Sequence, residues 1–227
     1  MSSLLSFTVA LSVSVLAWAF GAGPSASESP YARAVDRITA RVHADADLAM
    51  RFDDRLHGRC RWPRLAWPLV CGAQQQSLGF ELAQRGLARL DRAALSRRAV
   101  LLSDLLHAAD ERTCAALGQA RRGTANFRQA FEALGQAAIE EWVDLSVRAI
   151  AAELRDTPRE AVSQKDIARA QREFARTLSE HSVARLAKLP GDGVSDADAC
   201  WIGRTLYARL AAMPEPYRGI LALHLAR

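Results

Sequence analysis

Apolar residues recur along this chain at steps of three and four, the period of one face of a helix, and not at the steps of two that mark a half-buried strand. From Ser29-Pro30 the seam Tyr31, Val35, Ile38, Val42, Ala49, Phe52 and Leu56 keeps that step, with one gap at Asp45. It predicts a helix opened by Ser29 with proline in its first turn. A second helix is predicted over residues 74–90 on Leu78, Phe80, Leu87 and Leu90, and a third from Ala93 through Val100, Leu102, Leu105, Leu106 and Ala109 towards Cys114. Beyond Arg121-Arg122-Gly123-Thr124, the residues Phe127, Phe131, Leu134, Ala138, Trp142, Leu145 and Ala149 form another stripe that should end near Leu154.

Two helix starts compete after that point. Thr157-Pro158-Arg159-Glu160 has the pattern of a capping box, and Ser163 with Asp166 is a weaker second start; both lead into Ile167, Ala170, Phe174 and Leu178. Leu189-Pro190-Gly191-Asp192-Gly193 is the clearest turn, and Ser195 or Asp196 can cap the helix that carries Ile202, Leu206, Leu210 and Met213. Pro214 and Pro216 stop it, and a short last helix follows from Tyr217 to Leu223. No alternating β-branched run and no repeat of fixed period interrupts this pattern. The expected fold is all-α, a single irregular bundle of about six or seven helices.

The N-terminus breaks the helical pattern in a different way. Leu4 to Phe20 reads LLSFTVALSVSVLAWAF, apolar and without charge, and the small or turn-forming residues Gly21, Gly23, Pro24 and Ser25 to Ser27 follow it. This composition is that of an export signal, cleaved between Gly23 and Ser27. No Lys or Arg precedes the run and no clean small-x-small site follows it, so an uncleaved membrane anchor stays open as the second reading. The 227-residue chain therefore divides into 1–27, signal peptide or anchor, and 28–227, one helical domain. An exported protein of a bacterial envelope, periplasmic or secreted, is expected.

Export changes what the cysteines mean. An oxidising compartment favours pairing of Cys60, Cys71, Cys114 and Cys200, so a disulfide-braced bundle is expected, with three connectivities open. Two of these cysteines bound the stretch CRWPRLAWPLVCG, residues 60–72, where Trp62 and Trp67 each precede a proline. Both tryptophans are pushed towards extended geometry, and the stretch reads as a loop between the first two helices. Closure by a Cys60–Cys71 bond would restrain the unfolded chain by about 3 kcal/mol. Trp62 and Trp67 are the candidate partner-binding residues, with a lid folded back on the bundle as the simpler alternative.

Charge adds little. The net charge of +5 is carried almost entirely by arginine, Lys165 and Lys188 being the only lysines, and it alternates with carboxylates along the helices. No nucleic-acid partner is expected from that spread, and Arg97-Arg98 and Arg121-Arg122 read as solvated helix faces. Candidate chemistry is equally thin. His43 with Asp47, and Asp104 with His107 and Glu111, fall on shared helical faces and could each hold one edge of a metal site, but neither matches a metal motif and both read more simply as ion-pair networks. Asp192, Asp196 and Asp198 lack the order of a calcium loop. Glu140 and Glu141 are adjacent, so they point about 100° apart and cannot flank one bond. His181, near the stripe ending at Leu178, reads as a hydrogen-bonded core residue. No nucleophile elbow, phosphate loop or dinucleotide fingerprint is present, and no cofactor is implied.

At the level of class, the sequence points to a non-catalytic exported envelope protein that acts by binding another protein, as an inhibitor, immunity-type factor, chaperone or secretion accessory. A metal-dependent enzyme of an envelope substrate is one alternative. A structural component, anchored in the membrane through its N-terminal segment and touching anionic lipid or polysaccharide through its arginines, is another.

Overall fold

The structure, a computed structural model, describes residues 29–59, 67–118, 127–187 and 194–226. These residues form eleven helices and no strand: α1 (Pro30–Ala44), α2 (Ala46–His57), α3 (Trp67–Leu87), α4 (Arg92–Ala108), α5 (Glu111–Gly118), α6 (Phe127–Glu132), α7 (Gln136–Leu154), α8 (Gln164–Thr177), α9 (Glu180–Ala187), α10 (Asp196–Ala212) and α11 (Tyr217–Leu225). The all-α bundle expected from periodicity is what forms. The expected count of six or seven is too low, because three of the long predicted helices are each broken in two and α9 was not predicted at all.

Side chains that cap make two of those breaks. The gap in the first seam is Asp45, whose carboxylate accepts from the amides of Asp47 and Leu48 at 3.1 Å each, ending α1 and starting α2. Asp110 accepts from the Thr113 amide at 3.0 Å and from its hydroxyl at 2.7 Å, which separates α5 from α4. Gly135, in extended backbone, opens α7 after the short α6. Further along, α8 starts at the weaker of the two predicted sites. Ser163 accepts from the Asp166 amide at 3.1 Å, whereas the Thr157 box never forms, because Glu160 pairs instead with the Arg92 side chain and accepts from the Arg92 amide at 3.3 Å. A tertiary partner has outcompeted a local cap.

Ser29 and Ser195 cap α1 and α10 as their positions predict, accepting from Ala32 and Asp198 amides at 3.1 Å each. The second predicted helix begins seven residues early, at Trp67, because proline is tolerated in a first turn and Pro68 stands there. The expected loop is thus helical in backbone from Trp67 onward. The predicted turn at residues 189–193 lies outside the described residues.

The helices pack as two groups on one continuous apolar core. In the first, α1 and α3 both lie on α7. Arg37 and Arg41 of α1 meet Glu140 and Asp144 of α7 in that order, so these helices run the same way. A Cβ on Gly86 of α3 would come within 1.8 Å of the Ala149 carbonyl oxygen of α7, so these two backbones touch directly at that point. Tyr31, Phe127, Phe131 and Trp142 close one end of the group as an aromatic cluster, with ring centroids 4.8 Å apart for Phe131 and Trp142.

In the second group α10 packs on α5 and α4, and α11 on α4 and α8; α4 also touches α6 and α7 and so joins the two groups. Arg204 of α10 donates to the carbonyls of Leu106 and Ala109 at 2.9 and 2.6 Å, satisfying oxygens that the end of α4 leaves open. A disulfide between Cys114 and Cys200, both buried, ties α5 to α10 across 86 residues of sequence. On the chain-entropy model a closure of that length is worth about 4.5 kcal/mol. It is the one connectivity of three that leaves Cys60 to pair with Cys71, and those two side chains lie outside the described residues.

Candidate functional site

One cleft follows from the packing of the first group. Since α1 and α3 rest on α7 and barely touch each other, a trough runs between them with Trp142, Ser146 and Ile150 as its floor. Val35, Ile38 and Val42 form one wall, and Gly79, Phe80 and Ala83 the other. The lining is apolar apart from Thr39, His43, Gln75, Gln76 and Ser146, and the Ser146 hydroxyl donates to the Trp142 carbonyl at 2.8 Å. Its volume is about 30 Å³, room for one or two waters and far below the several hundred Å³ of a metabolite pocket. An open hollow of about 320 Å³ lies beside the first turns of α1 and α7, where Arg37 is already paired with Glu140.

The metal-edge candidates are dispersed. His43 Nδ1 stands 2.9 Å from the Thr39 carbonyl, its Nε2 is 3.6 Å from Asp53, and its ring packs on Phe52. Asp47 turns away to Arg51 at 2.8 Å and Arg155 at 3.4 Å. Its carboxyl is held below the usual range by the Arg51 hydrogen bond first and by Arg155, while that of Asp45 is lowered chiefly by the Leu48 amide and then by Arg155. These groups are a charge-paired joint between α1, α2 and the end of α7. Glu111 opens α5, a different helix from the one bearing Asp104 and His107, so the expected three-residue face does not exist; His107 Nδ1 sits 2.7 Å from the Ser103 carbonyl. Among the described residues no three His, Cys, Asp or Glu side chains gather as a metal would require.

The remaining candidates are placed as follows. Glu140 and Glu141 diverge, one to Arg37 and Arg41 of α1 and the other to Arg97 of α4 at 2.6 Å. Asp198 binds Arg185 at 2.8 Å and accepts from the Ser195 hydroxyl at 2.8 Å, which hold its carboxyl low in that order; Asp192 lies outside the described residues. His181 is exposed in the first turn of α9 and is not a core residue, since the chain turns at Leu178 and Ser179 before reaching it. Arg98 corrects the expectation of a solvated pair: Arg97 is exposed, but Arg98 is half-buried towards Tyr207, with burial lowering its pKa and raising that of the tyrosine. Trp62 and the side chain of Trp67 lie outside the described residues, as do Arg121 and Arg122.

Sequence reasoning missed one feature. Lys165, Arg169, Arg172 and Arg176 stand in a row along the exposed side of α8, and their spacing of four, three and four was legible in the sequence. Among the described residues no helix is long and apolar enough to cross a membrane; the apolar stretch from Leu4 to Phe20 lies outside them. No family model matches this chain, and no curated protein or solved structure is similar enough to lend it an activity.

Proposed function

We propose that this chain is an exported, non-catalytic protein of a bacterial envelope that works by binding a protein partner. The observation that carries the reading is the buried Cys114–Cys200 disulfide, because such bonds persist in oxidising compartments and are rare where thiols are kept reduced. The uncharged apolar segment Leu4 to Phe20 supports the same compartment from the other end of the chain. The cleft between α1 and α3, about 30 Å³, is too small for a metabolite, and the larger hollow beside α1 and α7 is open, which supports action through a surface. Trp62 and Trp67 stay as candidate partner contacts.

Chemical cross-linking in envelope extract tests it, comparing the native chain with a Trp62→Ala/Trp67→Ala variant. The reading expects a discrete cross-linked partner that the variant loses. Capture unchanged by the substitutions removes the tryptophans from it, and no partner in any envelope fraction removes the binding reading itself.

A further inference from the structure

On α8, Lys165, Arg169, Arg172 and Arg176 fall within about 60° of one another around the helix axis, at about 100° per residue. All four are exposed, and the row lies opposite the face that buries Ile167 and Ala170. It spans about 16 Å at 1.5 Å per residue. The two acids of α8 sit together on one shoulder and are already engaged: Asp166 accepts from the Ser163 hydroxyl at 2.6 Å, and Glu173 accepts from Arg176 at 2.6 Å. Lys165, Arg169 and Arg172 make no ion pair among the described residues; Arg169 instead lies over the Tyr217 ring at 5.6 Å. Elsewhere Arg37, Arg41, Arg89 and Arg97 each meet a carboxylate of α7.

We infer that this crest is the docking surface for an acidic helical segment of the protein partner, an inference that rests on the protein-binding reading above. A helix with carboxylates at i, i+4, i+7 and i+11 repeats the spacing of the crest and can meet all four cations at once. Other polyanions fit less well. A flat anionic membrane would also meet the shoulder acids Asp166 and Glu173, and the outward face offers only Ala168 and Ala175 as apolar residues, nothing that inserts. Single-stranded nucleic acid is held by stacking its bases on exposed aromatic rings as well as by charge, and none stands on this face, where the Tyr217 ring is covered by Arg169.

The test uses the disulfide-bonded protein and a synthetic Glu-rich helical peptide with the matching spacing, set against an isomer of equal composition whose glutamates are scattered around the helix. Vesicles of mixed phosphatidylcholine and phosphatidylglycerol, and alginate, serve as competing polyanions. Lys165→Gln/Arg169→Gln/Arg172→Gln is the variant, its fold checked by circular dichroism, with Arg97→Gln as the control at a paired position. The matching peptide should bind more tightly than its isomer. With each exposed pair worth about two- to fivefold, the triple variant should weaken it by about tenfold or more and flatten its salt dependence, while Arg97→Gln leaves it unchanged. Equal binding of the two peptides, equal binding by the triple variant, or tighter binding of vesicles or alginate overturns the crest as a helix-docking surface. Cross-linking in envelope extract keeps the two ideas apart. A partner captured equally by the native chain and the triple variant overturns the crest alone, whereas no capture by either overturns the binding reading on which it rests.

Discussion

The helices α7 and α8 carry charged residues at the same period and put them to different use. On α7, Glu140, Glu141, Asp144 and Glu153 each meet an arginine from elsewhere in the chain, on α1, on α4 or in the turn after α3, so the charges stitch together parts of the chain far apart in sequence. Around α8 the pairs are local, such as Glu173 with Arg176, and the crest points outward. The group containing α10 adds a covalent tie to its charge pairs, the Cys114–Cys200 bond between α5 and α10. Charge spacing alone therefore does not say whether a helix face is structural or available; what decides is whether a neighbouring helix supplies the opposite charge.

The contrast can be broken most forcefully at the disulfide. Cys114→Ser/Cys200→Ser should lower stability by about 2–5 kcal/mol in denaturant melts. Amide exchange should show α5 and α10 losing protection before α1, α3 and α7; equal loss everywhere would mean that the two groups have no separate stability. Next in size is Gly86→Val, which forces a side chain into the Ala149 backbone and should cost about 1–3 kcal/mol or more, with no comparable effect from Gly79→Ala, where a Cβ meets nothing within 4 Å.

Removing one acid from each helix sharpens the comparison directly. Glu153→Gln strips Arg89 of a partner where both side chains are mostly covered, 11% and 17% exposed, and should lower the melting temperature clearly. Glu173→Gln, whose partner Arg176 is 72% exposed, should stay within about 0.5 kcal/mol of the parent. Equal effects would erase the distinction between stitched and available charge.

The smallest expected effect is in acid. Burial pushes the Glu215 carboxyl up, but the Ser96 hydroxyl, the Gly219 amide and Arg218 together outweigh it and leave the group below its ordinary value; Asp110 is lowered by the Thr113 amide and then by the Thr113 hydroxyl. A depressed folded-state pKa adds stability above the unfolded value, about 4 for these groups, and loses it as pH falls through the folded value. Unfolding midpoints should decline below that pH, and Glu215→Gln should flatten the decline.

Much of the architecture was legible because periodicity and caps are local signals. Ser29, Ser195 and the end at Leu154 sit where the sequence places them. The sequence pattern failed where a residue had a distant partner or a double role. Asp45 looked like a flaw in a seam and is a cap; Glu160 looked like a cap and is bound to Arg92; Glu111 looked continuous with His107 and begins another helix. The candidate site was less legible for the same reason. His43 and Asp47 are one turn apart by number, yet Arg51 and Arg155 decide where Asp47 points. The α8 crest was visible by spacing, but its exposure depends on which helices pack beside it.

The most direct test of an exported, disulfide-held binding protein is an intact-mass measurement and disulfide map of the chain expressed from its full reading frame in a Gram-negative host, with thiols alkylated before lysis. The account predicts a chain lacking the residues before about Ser25, with Cys114 and Cys200 recovered in one cross-linked peptide pair. A full-length chain with four alkylated cysteines would contradict it, removing the compartment and the covalent tie together.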